Sequence, residues 1–315
     1  MTRLKKIAIY IVAETLVFAV IVAASARAHA DIVISFNGGT GVQGSGKIVE
    51  VPRSVPAFDS VAAQDGIRVV FRPSAEQKLT VKADDNIEPM VEASVEGSTL
   101  KLKMRPRSSF RSRTPVVVNL DYRQLNKLSL SDGARGELDV VKAATFTATV
   151  NDGAQLRINE ATVNTFDLWV KDGSVVTLGK VLNVATQNYR VIDGAKLTID
   201  QASGERVSIA VKDGARMTVR ALDTKAMELV VADGARVDIA GTAQLQTFAL
   251  SDAANVDAQK LQGATAQVRA SDGSLLKLGM VQTLNADVQD GSTVRYTGDP
   301  AITQRVGGGA RLKRI

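Results

Sequence analysis

Six cations, Lys101, Lys103, Arg105, Arg107, Arg111 and Arg113, fall within thirteen residues that hold no acid. Guanidinium forks and ammonium groups grip phosphates and carboxylates through charge-assisted hydrogen bonds. This cluster is therefore the candidate binding site, suited to lipopolysaccharide phosphates or an acidic polysaccharide. Pro106 and the Ser108-Ser109 pair place its second half on a surface loop. The alternation Lys101-Leu-Lys-Met104 reads as the solvated face of a strand. A purely structural reading stands beside the functional one: such charges also discourage pairing at a sheet edge.

A second set is a series of aspartates, nearly all followed by glycine: Asp132, Asp152, Asp172, Asp193, Asp213, Asp233, Asp252, Asp272 and Asp290. Carboxylates stacked about 4.8 Å apart could form a cation ladder, and they repel by roughly 1 kcal/mol per pair in water. Calcium sites, however, gather six to eight oxygens from clustered acids, and no Asp-x-Asp-x-Asp cluster recurs. The expectation is structural, with each carboxylate capping backbone amides of its own turn. Arg135, Lys196, Arg216 and Arg236, three residues after their aspartates, are placed to offset the charge. No metal is expected.

The glycine-rich stretch before residue 55 matches two phosphate motifs in part. Gly39-x-Gly41-x-x-Gly44 resembles a dinucleotide fingerprint, and Gly41 to Lys47 resembles a P-loop. The P-loop match fails at Ile48, where a magnesium-binding hydroxyl belongs. Both fail in context, since Lys47-Ile-Val-Glu-Val continues as a strand and no helix N-terminus follows. No nucleotide or other cofactor is expected.

Cysteine is absent and the only histidine is His29. That excludes disulfides, thiolate nucleophiles and zinc knuckles, and it excludes Ser-His-Asp chemistry once His29 is removed. Aromatic residues make up 4% of the chain, too few for the girdles of an outer-membrane barrel.

The aspartates also organise the chain. Their spacings are 20, 20, 21, 20, 20, 19, 20 and 18 residues. Two positions later the side chain is always small, as at Ala134, Ser174, Ala215 and Ser292. Four positions later it is usually aliphatic, as at Leu156, Val176, Leu197 and Met217. Six later come Leu138, Ile158, Leu178 and Ile199, and two earlier come Leu130, Val150, Val170 and Val191. This is period-two alternation on both sides of a turn. Asp-Gly between such runs usually suggests a hairpin. Here every unit repeats the same order, which fits coils of a parallel β-helix stacked in register. Small residues suit a corner with little inward volume, and glycine permits positive φ. Ala253 breaks the glycine series, so a relaxed or strained corner is expected there.

Residues 1–30 read as a secretory signal peptide. Arg3, Lys5 and Lys6 precede the apolar run Ile7 to Ala24, and Ala28-His29-Ala30 offers a cleavage pattern. Glu14 interrupts that run, which disfavours the rival reading of a membrane anchor. Removing the leader takes away four cations and Glu14. The remainder carries 35 basic and 32 acidic side chains, a net +3. Such a mild excess does not call for nucleic acid.

Several segments outside the aspartate series complete a pattern. They are Gly44-Ser-Gly-Lys47, Phe58, Gln64-Asp-Gly-Ile-Arg-Val-Val-Phe71, Val95-Glu-Gly-Ser-Thr-Leu-Lys-Leu102, Val294-Arg-Tyr-Thr-Gly-Asp-Pro300 and Val306-Gly-Gly-Gly-Ala-Arg311. Over residues 44–315 this order resembles the bacterial family of auto-transporter adhesin head GIN domains. The resemblance implies a right-handed parallel β-helix, exported, in a family without an established activity. The chain departs from the family's pattern in its Asp-Gly corners, where relatives more often have Ser-Gly. No translocating barrel accompanies it in this sequence.

The sequence thus predicts an all-β chain, a right-handed parallel β-helix with about 20 residues per coil. It divides into a leader at 1–30, a glycine-rich lead at 31–55 and the β-helix at 56–315. The expected role is a non-enzymatic scaffold or adhesin-like binding module of the periplasm or cell surface. Its expected partners are an envelope glycan, lipopolysaccharide or a surface protein. No nucleic acid and no integral membrane domain after leader cleavage are expected. The alternative is a polysaccharide lyase or hydrolase using acids on an outer face, although sugar-stacking aromatics are scarce and Trp169 is the only tryptophan.

Overall fold

Alternating aliphatic residues bury only if each strand finds a neighbour of matching phase, and a coil of constant length supplies one every turn. In the computed structural model, which describes residues 41–315, this produces a β-solenoid of about 9 turns with about 20 residues per coil. The long strands Arg135–Val150, Gln155–Val170, Val175–Val191, Lys196–Val211, Arg216–Val231 and Arg236–Leu250 pair in parallel, each with the next. One inward column runs Leu156, Val176, Leu197, Met217, Val237, Val256, Leu276 and Val294, all buried and in register. Phe146 and Phe166 are in register in a second column with ring centroids 5.7 Å apart, and Tyr189, in register with Leu168, brings its ring 6.0 Å from that of Phe166. Burial of this continuous apolar interior is the main stabilising term. The predicted leader lies outside the described residues. Within them no helix is long and apolar enough to cross a membrane.

The corners are tighter than glycine alone would require. Both the aspartate and the residue after it have positive φ: Asp132 at 50° and Gly133 at 71°, with the same pairing at each later corner. Ala134 N–H donates to the Ser131 carbonyl at 3.0 Å, closing a turn with the geometry of type I′. Aspartate is among the few L-residues that tolerate this conformation. The Gly133 N–H then donates to the Asp152 carbonyl of the next coil at 3.0 Å. Equivalent bonds continue to Gly291 and Gly308.

The carboxylates do not act as the sequence suggested. Among the described residues none accepts from a backbone amide of its own turn. Asp132 accepts from the Ser131 hydroxyl at 2.9 Å, Asp152 from the Asn151 side-chain amide, and Asp172 pairs with Lys171 at 3.1 Å. Lys196, Arg216 and Arg236 do not reach their aspartates within ion-pair distance. Backbone conformation, rather than capping by the carboxylate, is what aspartate contributes.

The structure adds a corner that the spacing concealed. Asp65 and Gly66 have φ of 61° and 71°, and Gly66 N–H donates to the Asp132 carbonyl at 2.9 Å. The strands Ser60–Ala63 and Arg68–Pro73 pair in parallel with Lys127–Leu130 and the start of Arg135–Val150. Residues 74–126 interrupt the repeat there. They supply a coil on the opposite side, in which Thr99–Met104 pairs with Ser60–Ala63 and Val117–Tyr122 with Arg68–Pro73. Antiparallel strands extend this end: Lys78–Asp84 beside Val117–Tyr122, Ile48–Arg53 beside Lys78–Asp84, and Val91–Glu96 beside Thr99–Met104. This part of the molecule is not a regular parallel coil.

Ala253 keeps the corner and takes the strain. Its φ is 58°, and its N–H still reaches the Asp272 carbonyl at 2.9 Å. An L-residue there costs roughly 1 kcal/mol. Ala253→Gly should therefore raise the melting temperature by about 2–4 °C in a thermal scan. An unchanged or lower value would mean the corner is not strained.

Candidate functional site

The solenoid divides the six predicted cations into two groups. Lys101 and Lys103 lie on the outward face of Thr99–Met104, opposite the antiparallel strand Val91–Glu96. That strand carries the acids missing from the local sequence. Lys101 pairs with Glu96, Lys103 with Glu92 at 3.6 Å, and Arg105 Nε lies 4.0 Å from Glu92. The Lys101 ammonium holds the Glu96 carboxyl below its ordinary range. Arg105 also donates to the Pro89 carbonyl at 3.1 Å. These three cations are partly neutralised.

Arg107, Arg111 and Arg113 differ. All three are exposed, and among the described residues none has an acid within ion-pair distance. They sit on the segment joining Thr99–Met104 to Val117–Tyr122. In the adjoining coil the same junction is the short turn Gln64-Asp65-Gly66-Ile67. The basic loop is thus an expanded corner at one end of the solenoid.

This loop is tied down rather than loose. Val42–Gln43 pairs in parallel with Phe110–Arg111. Val42 N–H donates to the Ser109 carbonyl and Gly44 N–H to the Arg111 carbonyl, both at 2.8 Å. The buried Asp84 carboxylate accepts from Gly46 N–H at 3.0 Å and from the Ser112 hydroxyl. Asn86 accepts from Ser45 N–H at 3.0 Å and donates to the Gln43 carbonyl at 2.8 Å. Asp85 accepts from the Ser45 hydroxyl at 2.6 Å, which is the main reason its carboxyl titrates below the usual range. Met104 N–H donates to Asp65 at 2.9 Å, joining the loop's start to the first corner.

The glycine-rich lead is the other half of this clamp. In a phosphate loop the amides would face the ligand. Here those of Ser45 and Gly46 are satisfied by Asn86 and Asp84. A Cβ on Gly44 would stand 2.2 Å from the Asp84 carboxylate, so glycine is required for the close approach. Gly39 lies outside the described residues. The segment Asp84-Asp85-Asn86 escaped sequence reasoning because its partners lie about 40 residues away. Glu92 and Glu96 were more accessible: they alternate in phase before Gly97-Ser98, with Lys101 and Lys103 after it, as in a short hairpin.

This architecture of coils with a capped end has known relatives. The family described as "Putative auto-transporter adhesin, head GIN domain" matches residues 57–190 and again 183–300. The chain belongs to this family. Among solved structures, the head GIN chain is similar to a "putative adhesin" from Parabacteroides merdae. The identity is 14%, over 87% of this chain and 99% of that one, with a TM-score of 0.51. It is also matched to a "putative adhesin" and a "putative lipid binding protein", both from Parabacteroides distasonis. These are 17% and 16% identical and cover 87% of this chain, with 100% and 99% of their own, at TM-scores of 0.47 and 0.45. At such identities the first likeness concerns the fold alone. No curated protein matches the chain.

In this head GIN chain the clamp makes a testable demand. Asp84→Ala removes the charged acceptor of the Gly46 amide and the Ser112 hydroxyl, at a cost of about 1.5–3 kcal/mol. Trypsin should then cut at Arg107, Arg111 or Arg113 at concentrations that spare the wild type. Equal resistance of the two proteins would show that Asp84 does not hold the loop.

Proposed function

We propose that this head GIN domain is an exported, non-enzymatic binding module of the periplasm or cell surface, and that its ligand is an anionic envelope polymer. Envelope glycans and lipopolysaccharide share the required chemistry, carboxylate or phosphate groups repeated along a chain. Arg107, Arg111 and Arg113 carry the contact, with Lys101, Lys103 and Arg105 as a weaker flank.

The observation that supports this most is the contrast within the basic segment. Three of its cations meet acids supplied by the neighbouring strand, while three arginines meet no acid among the described residues and sit on a loop held by a buried carboxylate. Holding the loop lowers the ordering cost that a mobile basic segment would meet on binding. Arginine suits the task, because its fork donates to a carboxylate or phosphate in bidentate geometry. Several outward acids that a hydrolase would need free are instead tied to cations one coil away. Asp200 pairs with Arg220, Glu205 with Lys225 at 2.6 Å and Asp257 with Lys277 at 2.9 Å.

Replacing Arg107, Arg111 and Arg113 together with Ser should abolish retention on an immobilised acidic polysaccharide. Replacing Lys101 and Lys103 with Ser should weaken it only modestly, because both already have acid partners. The wild type should elute with salt, as expected for exposed charge pairing. Unchanged, salt-sensitive retention of the triple variant would overturn the assignment.

A further inference from the structure

Parallel register allows outward residues to be followed from coil to coil. One outward column runs Lys101, Ala62, Ser129, Thr149, Trp169, Arg190 and Ala210. Lys101 therefore shares a face with Trp169, four coil rises away, or about 19 Å. The rungs between them, Ala62, Ser129 and Thr149, are small and half-buried. Large side chains stand at the two ends of a stretch whose middle is low.

The far end has features a bare solvated wall would not require. Trp169 is the only tryptophan and is 43% exposed. The Arg190 guanidinium of the next coil sits 4.6 Å from the centre of its ring. Trp169, Lys171, Arg190, Ile192, Ala210 and Lys212 line a depression of about 210 Å³. Ala210 is small where Trp169 and Arg190 precede it, which leaves the space open. Three cations meet here, and among the described residues only Lys171 has an acid in contact, the adjacent Asp172. An exposed pair of that kind holds its lysine weakly.

We infer that this face is a track for an acidic oligosaccharide, which leaves the basic corner loop, crosses the small-residue rungs and packs one sugar ring against Trp169. An indole face suits the apolar face of a pyranose, and the surrounding cations suit carboxylate or sulfate substituents. Lys171 and Lys212 are two rises apart on one column, about 10 Å, through Ile192. That separation is of the order of a disaccharide, so cations recur where an alternating acidic chain would present its charges. Arg190 is held against the ring before ligand arrives, which reduces what must be ordered on binding. The inference rests on the anionic-polymer reading above and extends it by a second contact.

The sole tryptophan makes the test direct, because the full chain's indole emission reports on this end alone. Octagalacturonate should quench or shift Trp169 emission. It should bind about tenfold more weakly to Trp169→Ala, equivalent to the loss of one stacking contact. Neutral dextran oligomers should leave the emission unchanged. Trp169 is on the surface, so an unchanged melting temperature checks that the variant is folded. If octagalacturonate binds while emission and the Trp169→Ala affinity stay unchanged, the track is overturned and the loop assignment stands. If it binds neither protein, the loop assignment falls and the track with it. Quenching by phosphatidylglycerol vesicles but not by octagalacturonate would overturn the saccharide assignment in favour of a lipid surface.

Discussion

Each Asp-Gly corner of the solenoid asks two successive residues to adopt positive φ, a conformation most L-residues resist. Meeting that demand with aspartate followed by glycine lets the chain reverse within two residues. The Gly N–H can then bond to the next coil's Asp carbonyl. The following side chain turns inward where two walls converge, and it is a buried Ala or Ser at the nine corners from Asp132 to Asp290, while the Asp65-Gly66 corner buries Ile67 there. Strand phase follows from the corner, and the apolar columns follow from strand phase. The same geometry in a two-stranded ribbon would make a hairpin. Here long strands and a constant coil length bring each coil beside the last in parallel.

The proposed binding residues sit where this constraint is released. The coil containing Thr99–Met104 lies outside the first Asp-Gly corner, and its junction expands into the loop of Arg107, Arg111 and Arg113. An expanded corner loses the ladder bond that orders the others. Its order comes from Asp84, Asn86 and the glycine-rich lead instead. The result is a solenoid with an anchored basic projection, and on the wall beside it Lys101 shares an outward column with Trp169 and Arg190. Elsewhere on the wall, cations and acids in neighbouring coils pair off, as at Asp200 with Arg220.

Much of the solenoid was legible because it depends on local, repeated patterns. The spacing of the aspartates, the small residue two positions on and the alternating aliphatics specify coil length, corner and interior. The first corner, Asp65-Gly66, was hidden because residues 74–126 separate it from its neighbour in the stack. The role of aspartate was misassigned for another reason: side-chain capping and tolerance of positive φ favour the same residue, and only the backbone distinguishes them. The charge state of the basic cluster depended on pairing across a hairpin, so a count along the chain missed that three of its six cations face acids. Trp169 was recognised as solitary, but its contact with Arg190 required the exact offset between two coils.

The claim on which this account rests is that the aspartates of the repeated corners, from Asp132 to Asp290, serve through their backbone, with no task for their carboxylates. Asp193, Asp213 and Asp233, replaced together with Asn, test it most directly. Asparagine tolerates positive φ as aspartate does, and the change removes stacked like charges. The melting temperature of the variant, measured with and without EDTA, should equal or exceed that of the wild type in both conditions. A clear fall on substitution, or an EDTA-induced fall confined to the wild type, would contradict the claim and give the carboxylates a cation to hold.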